Sequence, residues 1–88
     1  MKEIKRTSQF KKDARKAIKQ KKDLDALKKV ISRLASGKPL DKKHANHKLT
    51  GDYKDCRECH IAPDWLLIYM TSPKVLKLVR LGSHAELF

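Results

Sequence analysis

Residues 56–81 read CRECHIAPDWLLIYMTSPKVLKLVRL, and the pattern of this stretch decides the fold. Residues 56–61, 65–71 and 75–81 are strand-length segments rich in aromatic and branched side chains, which suit a pleated surface. Ala62-Pro63-Asp64 and Ser72-Pro73-Lys74 separate them with turn chemistry. Connections this short join antiparallel neighbours, so the segment reads as a three-stranded meander. Lys77, between Leu76 and Leu78, shows that one face of the last strand is not uniformly apolar.

Toward the N-terminus the period changes from two to that of a helix. Phe10, Ala14, Ala17 and Ile18 fall on one helical face behind a Thr7 or Ser8 cap, with lysines on the other face. Gln20-Lys21-Lys22 is a polar break, and Asp23 is a second N-cap. Leu24, Leu27, Val30, Ile31 and Leu34 then keep helical spacing. Gly37 suits a left-handed C-terminal cap, and Pro39 prevents the helix resuming. These helices form a hairpin whose apolar faces cover the meander. The expected fold is α+β: two N-terminal helices packed on a small antiparallel β-sheet, with residues 1–6 offering a fourth strand. Residues 38–55 are polar and long for a structureless loop in so small a domain, a length that marks functional or disordered segments.

Eighty-eight residues make one domain, 1–88. No apolar run approaches the roughly 18 residues that span a bilayer, and MKEIKRTSQF carries charge where a secretory signal is apolar. A cytoplasmic protein with no membrane partner is expected, and two cysteines without a disulfide framework suit that compartment. Charge dominates the composition: 22 Lys and Arg against 10 Asp and Glu, a formal +12, with twelve of the 22 before residue 32. Such a field draws a polyanion, nucleic acid first, then an acidic protein.

Cys56-Arg-Glu-Cys59-His60 matches the haem c attachment string, but residues three apart on a strand point to opposite faces, so both thiols cannot reach one macrocycle. The same alternation argues against a zinc site from Cys56, Cys59, His44 and His47. No cofactor and no metal is expected. The histidines are a better source of chemistry. His60 ends one strand, Asp64 lies in the turn after it, His84 follows the last strand, and His47 lies in the long loop. Two histidines acting as acid and base, with Arg80 or Arg57 against the developing charge, suffice for RNA, whose 2′-hydroxyl is an internal nucleophile. Asp64 is read either as the base or as the group that orients His60. Scattered surface histidines are the competing reading. For Phe88, stacking on a base and plugging the core edge are equally open.

Three stretches carry a resemblance: NHKLTG at 46–51, RECHIAPDWLLIY at 57–69 and RLGSHAELF at 80–88. Together they are similar to the YafQ branch of the RelE/ParE toxin superfamily, and the chain is identified as a member of it. The resemblance implies a RelE-like fold and the toxin of a type II toxin–antitoxin pair. It implies an endoribonuclease that enters the ribosomal A site and cleaves the mRNA there without metal, leaving a 2′,3′-cyclic phosphate (or 3′-phosphate) and a 5′-hydroxyl. By position, His47, His60, Asp64 and His84 would be catalytic, Arg80 would support the scissile phosphate, and Phe88 would contact RNA. The implied partners are the ribosome with its rRNA and mRNA, and a ribbon–helix–helix antitoxin of the DinJ/RelB kind, through which operator DNA is met only indirectly. A non-catalytic ParE-like inhibitor and a plain basic nucleic-acid-binding module are the alternatives; neither needs the histidines and the aspartate.

Overall fold

The computed structural model describes the backbone of residues 1–88 and every side chain except that of Asp52. Strand β1 (Glu3–Arg6) leads into helices α1 (Ser8–Lys19) and α2 (Leu24–Ala35). A 3-10 turn at Lys42–His44, strand β2 (His47–Lys48) and a second 3-10 turn at Gly51–Tyr53 occupy the long polar stretch. The meander follows as β3 (Arg57–Ala62), β4 (Trp65–Thr71) and β5 (Val75–Gly82), and the short helix α3 (His84–Leu87) closes the chain.

The helix ends obey local chemistry. Thr7 Oγ1 accepts from the Phe10 N–H at 2.9 Å, and Asp23 Oδ1 from the Ala26 N–H at 3.0 Å, each satisfying an orphan donor of the first turn. Gly37 ends α2 at φ +72°, as its sequence position predicts. The break after α1 uses the same geometry at Lys21, with φ +57° and its N–H and that of Lys22 turned back onto Ile18 and Ala17.

The sheet has five strands in the order β1-β5-β4-β3-β2. It is mixed, which corrects the expectation of an antiparallel sheet of three or four strands. The meander and β2 are antiparallel, but β1 runs parallel to β5. Tight turns force antiparallel neighbours; β1 is joined to the rest through a helical hairpin, which leaves its direction free.

Both faces of β4 are buried. Trp65, Leu67 and Tyr69 join Phe10, Ala17, Leu27 and Val30 in the core beneath the helices. Leu66 and Ile68 lie on the other face with Cys56 and Leu87, flanked by Leu49, Tyr53, Met70 and Val79. Cys59 belongs to the first core and Cys56 to the second, so alternation does separate the thiols. The helix-free face is only partly roofed, by the second 3-10 turn and α3, and the candidate site lies along it.

Candidate active site

Cross-strand register assembles the site. Glu58, Ile68 and Arg80 form one row across β3, β4 and β5, and His60, Leu66 and Gly82 form the next. Ile68 and Leu66 are on the helix-free face, so Glu58, His60 and Arg80 share it. Two strand spacings, roughly 10 Å, separate the backbones of Glu58 and Arg80. β2 adds His47 opposite Glu58.

Glu58 is buried, 4% exposed, and is the group the sequence reading missed. Its Oε1 lies 3.2 Å from His60 Nε2 and 3.4 Å from His47 Nε2. A charged residue in a strand reads as solvated; only His60, two residues on along the same face, could have signalled otherwise. His44 Nδ1, 2.6 Å from the His60 carbonyl oxygen, fastens the loop before β2 to the end of β3.

At the far end of the face, Asp64 Oδ1 accepts from His84 Nδ1 at 2.8 Å and from the His84 backbone N–H at 3.0 Å. These bonds hold the Asp64 carboxyl below its ordinary value. Asp64 therefore orients His84. The expectation that it serves His60 is corrected: the β3–β4 turn lies beside the end of β5, because Leu66 pairs with Gly82, and the carboxylate reaches across to α3. The His60 and His84 rings meet edge to face with centroids 5.6 Å apart. Ser83 caps α3 in a reciprocal box with Glu86, which also bonds Lys16 of α1.

Phe88 is 61% exposed and meets Tyr53 edge-on at 5.8 Å, while Leu87 fills the core edge. The aromatic is thus not the plug. Arg80 bonds Asp13 of α1 through Nε at 2.8 Å, and the Tyr53 hydroxyl is a further partner of the guanidinium. Arg57 is placed elsewhere: it pairs with Tyr69 in register, faces the helix side, and donates to Asn46 Oδ1 at 2.9 Å. The structure brings His47, His60, Asp64, His84, Arg80 and Phe88 to one face, adds Glu58, and leaves Arg57 outside.

His47, Glu58 and His60 each present a ligand atom within 4.8 Å of the others. Two imidazoles and a carboxylate suit a transition-metal ion. Bound there, it would engage the ring nitrogens that acid–base chemistry needs.

The model of the family described as "Bacterial toxin of type II toxin-antitoxin system, YafQ" matches residues 2–88. The chain belongs to the YafQ toxin family. It is 38% identical over 87 residues to the mRNA interferase toxin YafQ of Escherichia coli K12, covering 98% of this chain and 95% of that one. A solved Helicobacter pylori toxin described as metal-bound superposes with a TM-score of 0.93 at 46% identity, covering all of both chains. The E. coli DinJ–YafQ toxin–antitoxin complex gives a TM-score of 0.91 at 38% identity, covering 99% of this chain and 97% of that one. Among the described residues no helix is long and apolar enough to cross a membrane.

Proposed function

We propose that this toxin is a ribosome-dependent mRNA endoribonuclease, acting in the cytoplasm on translated message in the A site by acid–base catalysis without metal. The observation that carries the reading is the pair of histidine rings 5.6 Å apart, each held by its own carboxylate, Glu58 for His60 and Asp64 for His84. Two proton transfers are required. One proton leaves the 2′-hydroxyl as its oxygen attacks phosphorus; another reaches the departing 5′-oxygen. His84 in its protonated, imidazolium form is the general acid: its Nδ1–H is committed to Asp64 and its Nε2–H is left to donate, which returns the ring to the neutral Nδ1–H tautomer. His60, oriented by Glu58, takes the 2′-hydroxyl proton, with His47 completing that side. Arg80 meets the charge that develops on the phosphate oxygens, and exposed Phe88 stacks on a base beside the cut. Arg57, on the opposite face, has no part in the reaction.

The site is an open rim with few groups to fix an RNA strand, which supports a role for the ribosome in holding the message. An antitoxin of the ribbon–helix–helix kind is proposed as the partner that keeps the toxin away from it, in line with the complex of the E. coli relative. The test is cleavage of one message, naked and on translating ribosomes, with chelator in both. Cutting confined to translated message, with cyclic phosphate and 5′-hydroxyl ends, is expected. Equal rates on naked RNA, or no cutting at all, would reject the reading.

A further inference from the structure

Strand β1 leaves the sheet early. Its last paired residue, Arg6, sits opposite Leu78, so the edge of β5 beyond Leu78 has no strand beside it. Side chains from the start of α1 take over. Thr7 Oγ1 donates to the Val79 carbonyl at 2.8 Å, and Asp13 Oδ2 accepts from the Leu81 N–H at 3.0 Å. At the same place β5 carries a bulge: Ile68 pairs with Arg80 but Tyr69 with Leu78, leaving Val79 as the extra residue. The extra residue returns Leu81 to the helix-side core and brings Arg80 onto the face of Glu58 and His60.

Asp13 then does a second thing. Oδ2 also accepts from Arg80 Nε at 2.8 Å, and Oδ1 lies 3.4 Å from Arg80 Nη2 and 3.1 Å from Gln9 Nε2. The Asp13 side chain is 9% exposed and that of Arg80 23%, so this pair is largely out of water. A guanidinium has five N–H donors in a rigid fork. Asp13 takes the Nε edge and the Tyr53 hydroxyl also bonds the group, so another anion would meet the donors that remain. The fork is also fixed in direction, because the same carboxylate is bonded to the backbone one residue on.

Resting on the reading of Arg80 as the phosphate arginine, we infer that Asp13 is a positioning residue for cleavage: it aims the Arg80 guanidinium at the scissile phosphate from the far side of the sheet edge. A misaimed donor of this kind can lower a rate about a hundredfold.

The test is a double-mutant cycle in single-turnover cleavage on programmed ribosomes, with Asp13→Asn, Arg80→Ala and both together. Asp13→Asn keeps the shape and one acceptor oxygen, and thermal melting of each variant reports folding separately. Asp13→Asn is expected to slow the cleavage step about 10- to 100-fold at saturating ribosome while the half-saturating concentration stays unchanged. In the Arg80→Ala background it should cost nothing further. In the free toxin the Arg80 Nε–H, held by Asp13, should exchange slowly with water, and Asp13→Asn should remove that protection. Independent, multiplying losses, or a loss that follows melting alone, would make Asp13 merely structural and overturn the inference. A slow Arg80→Ala beside a wild-type-like Asp13→Asn would overturn the inference and leave the role of Arg80 standing. A wild-type-like Arg80→Ala would overturn both.

Discussion

Asp64 holds His84 through a single oxygen, Oδ1, which accepts both the ring Nδ1–H and the backbone N–H of that residue. The ring is therefore fixed in direction and in tautomer, since the hydrogen bond at one nitrogen sets the role of the other. Nε2 is the atom left for proton transfer.

The first prediction follows from that bond. In 15N spectra of the free toxin, neutral His84 should carry its proton on Nδ1, and Asp64→Ala should abolish the preference. A wild-type His84 protonated on Nε2 would show that Asp64 does not set the tautomer.

The cysteines should be inert in the folded protein. Burial, with Glu58 alongside, pushes the Cys59 thiol up to about 12, and burial also raises Cys56. Iodoacetamide at mildly alkaline pH should label neither until the chain unfolds, and Cys56→Ser with Cys59→Ser should keep the activity per folded molecule. The hydroxyls would cost about 1–3 kcal/mol of stability each. Rapid labelling of native Cys59 would mean the core opens readily.

The docking of α3 has its own pH window. Lys16, then the Ser83 N–H, hold the Glu86 carboxyl down to about 2, from an ordinary 4.5. A carboxyl depressed in the folded state stabilises fully above its ordinary value and stops doing so as pH falls through the folded one. The docked tail, read from the Tyr53 and Phe88 ring resonances, should persist to about pH 4.5 and loosen toward pH 2. In Glu86→Gln it should be looser at neutral pH and less sensitive over that range, the remaining sensitivity coming from Asp64, which holds His84 of the same helix. A tail that loosens equally in both proteins would point to another group.

The meander was legible because its β-forming segments are cut by two proline turns, and α1 and α2 because their caps and apolar stripes agree. Other parts were out of reach. No turn sets the direction of β1. Glu58 is inward only because β2, a two-residue strand, brings His47 over it. Asp13 is 67 positions from Arg80, and no periodicity records that pairing. Asp64 meets His84 rather than His60 because of register between β4 and β5, which pattern alone does not give.

The outer face of α1 should bind rRNA phosphates without reading sequence. Lys11, Lys12, Arg15 and Lys19 are exposed there, whereas Lys16 is tied to Glu86 and belongs to the docking of α3. Replacing those four with Gln should weaken ribosome binding and lower the magnitude of its salt slope, because fewer counterions are released. Cleavage positions should not move. A shifted codon preference would place these side chains at the reading site.

The central claim is that His84 and Asp64 work as one catalytic unit opposite His60 and Arg80. Single-turnover cleavage of a defined message on programmed ribosomes tests it most directly, with His84→Ala and Asp64→Ala beside wild type and each variant checked for folding and antitoxin binding. Loss of a general acid typically costs ~10²–10⁴ in rate. His84→Ala should fall by about that factor, and Asp64→Ala should also fall, with both proteins folded and still bound by antitoxin. If both variants cut at near wild-type rates, this face is not the catalytic site and the account is wrong.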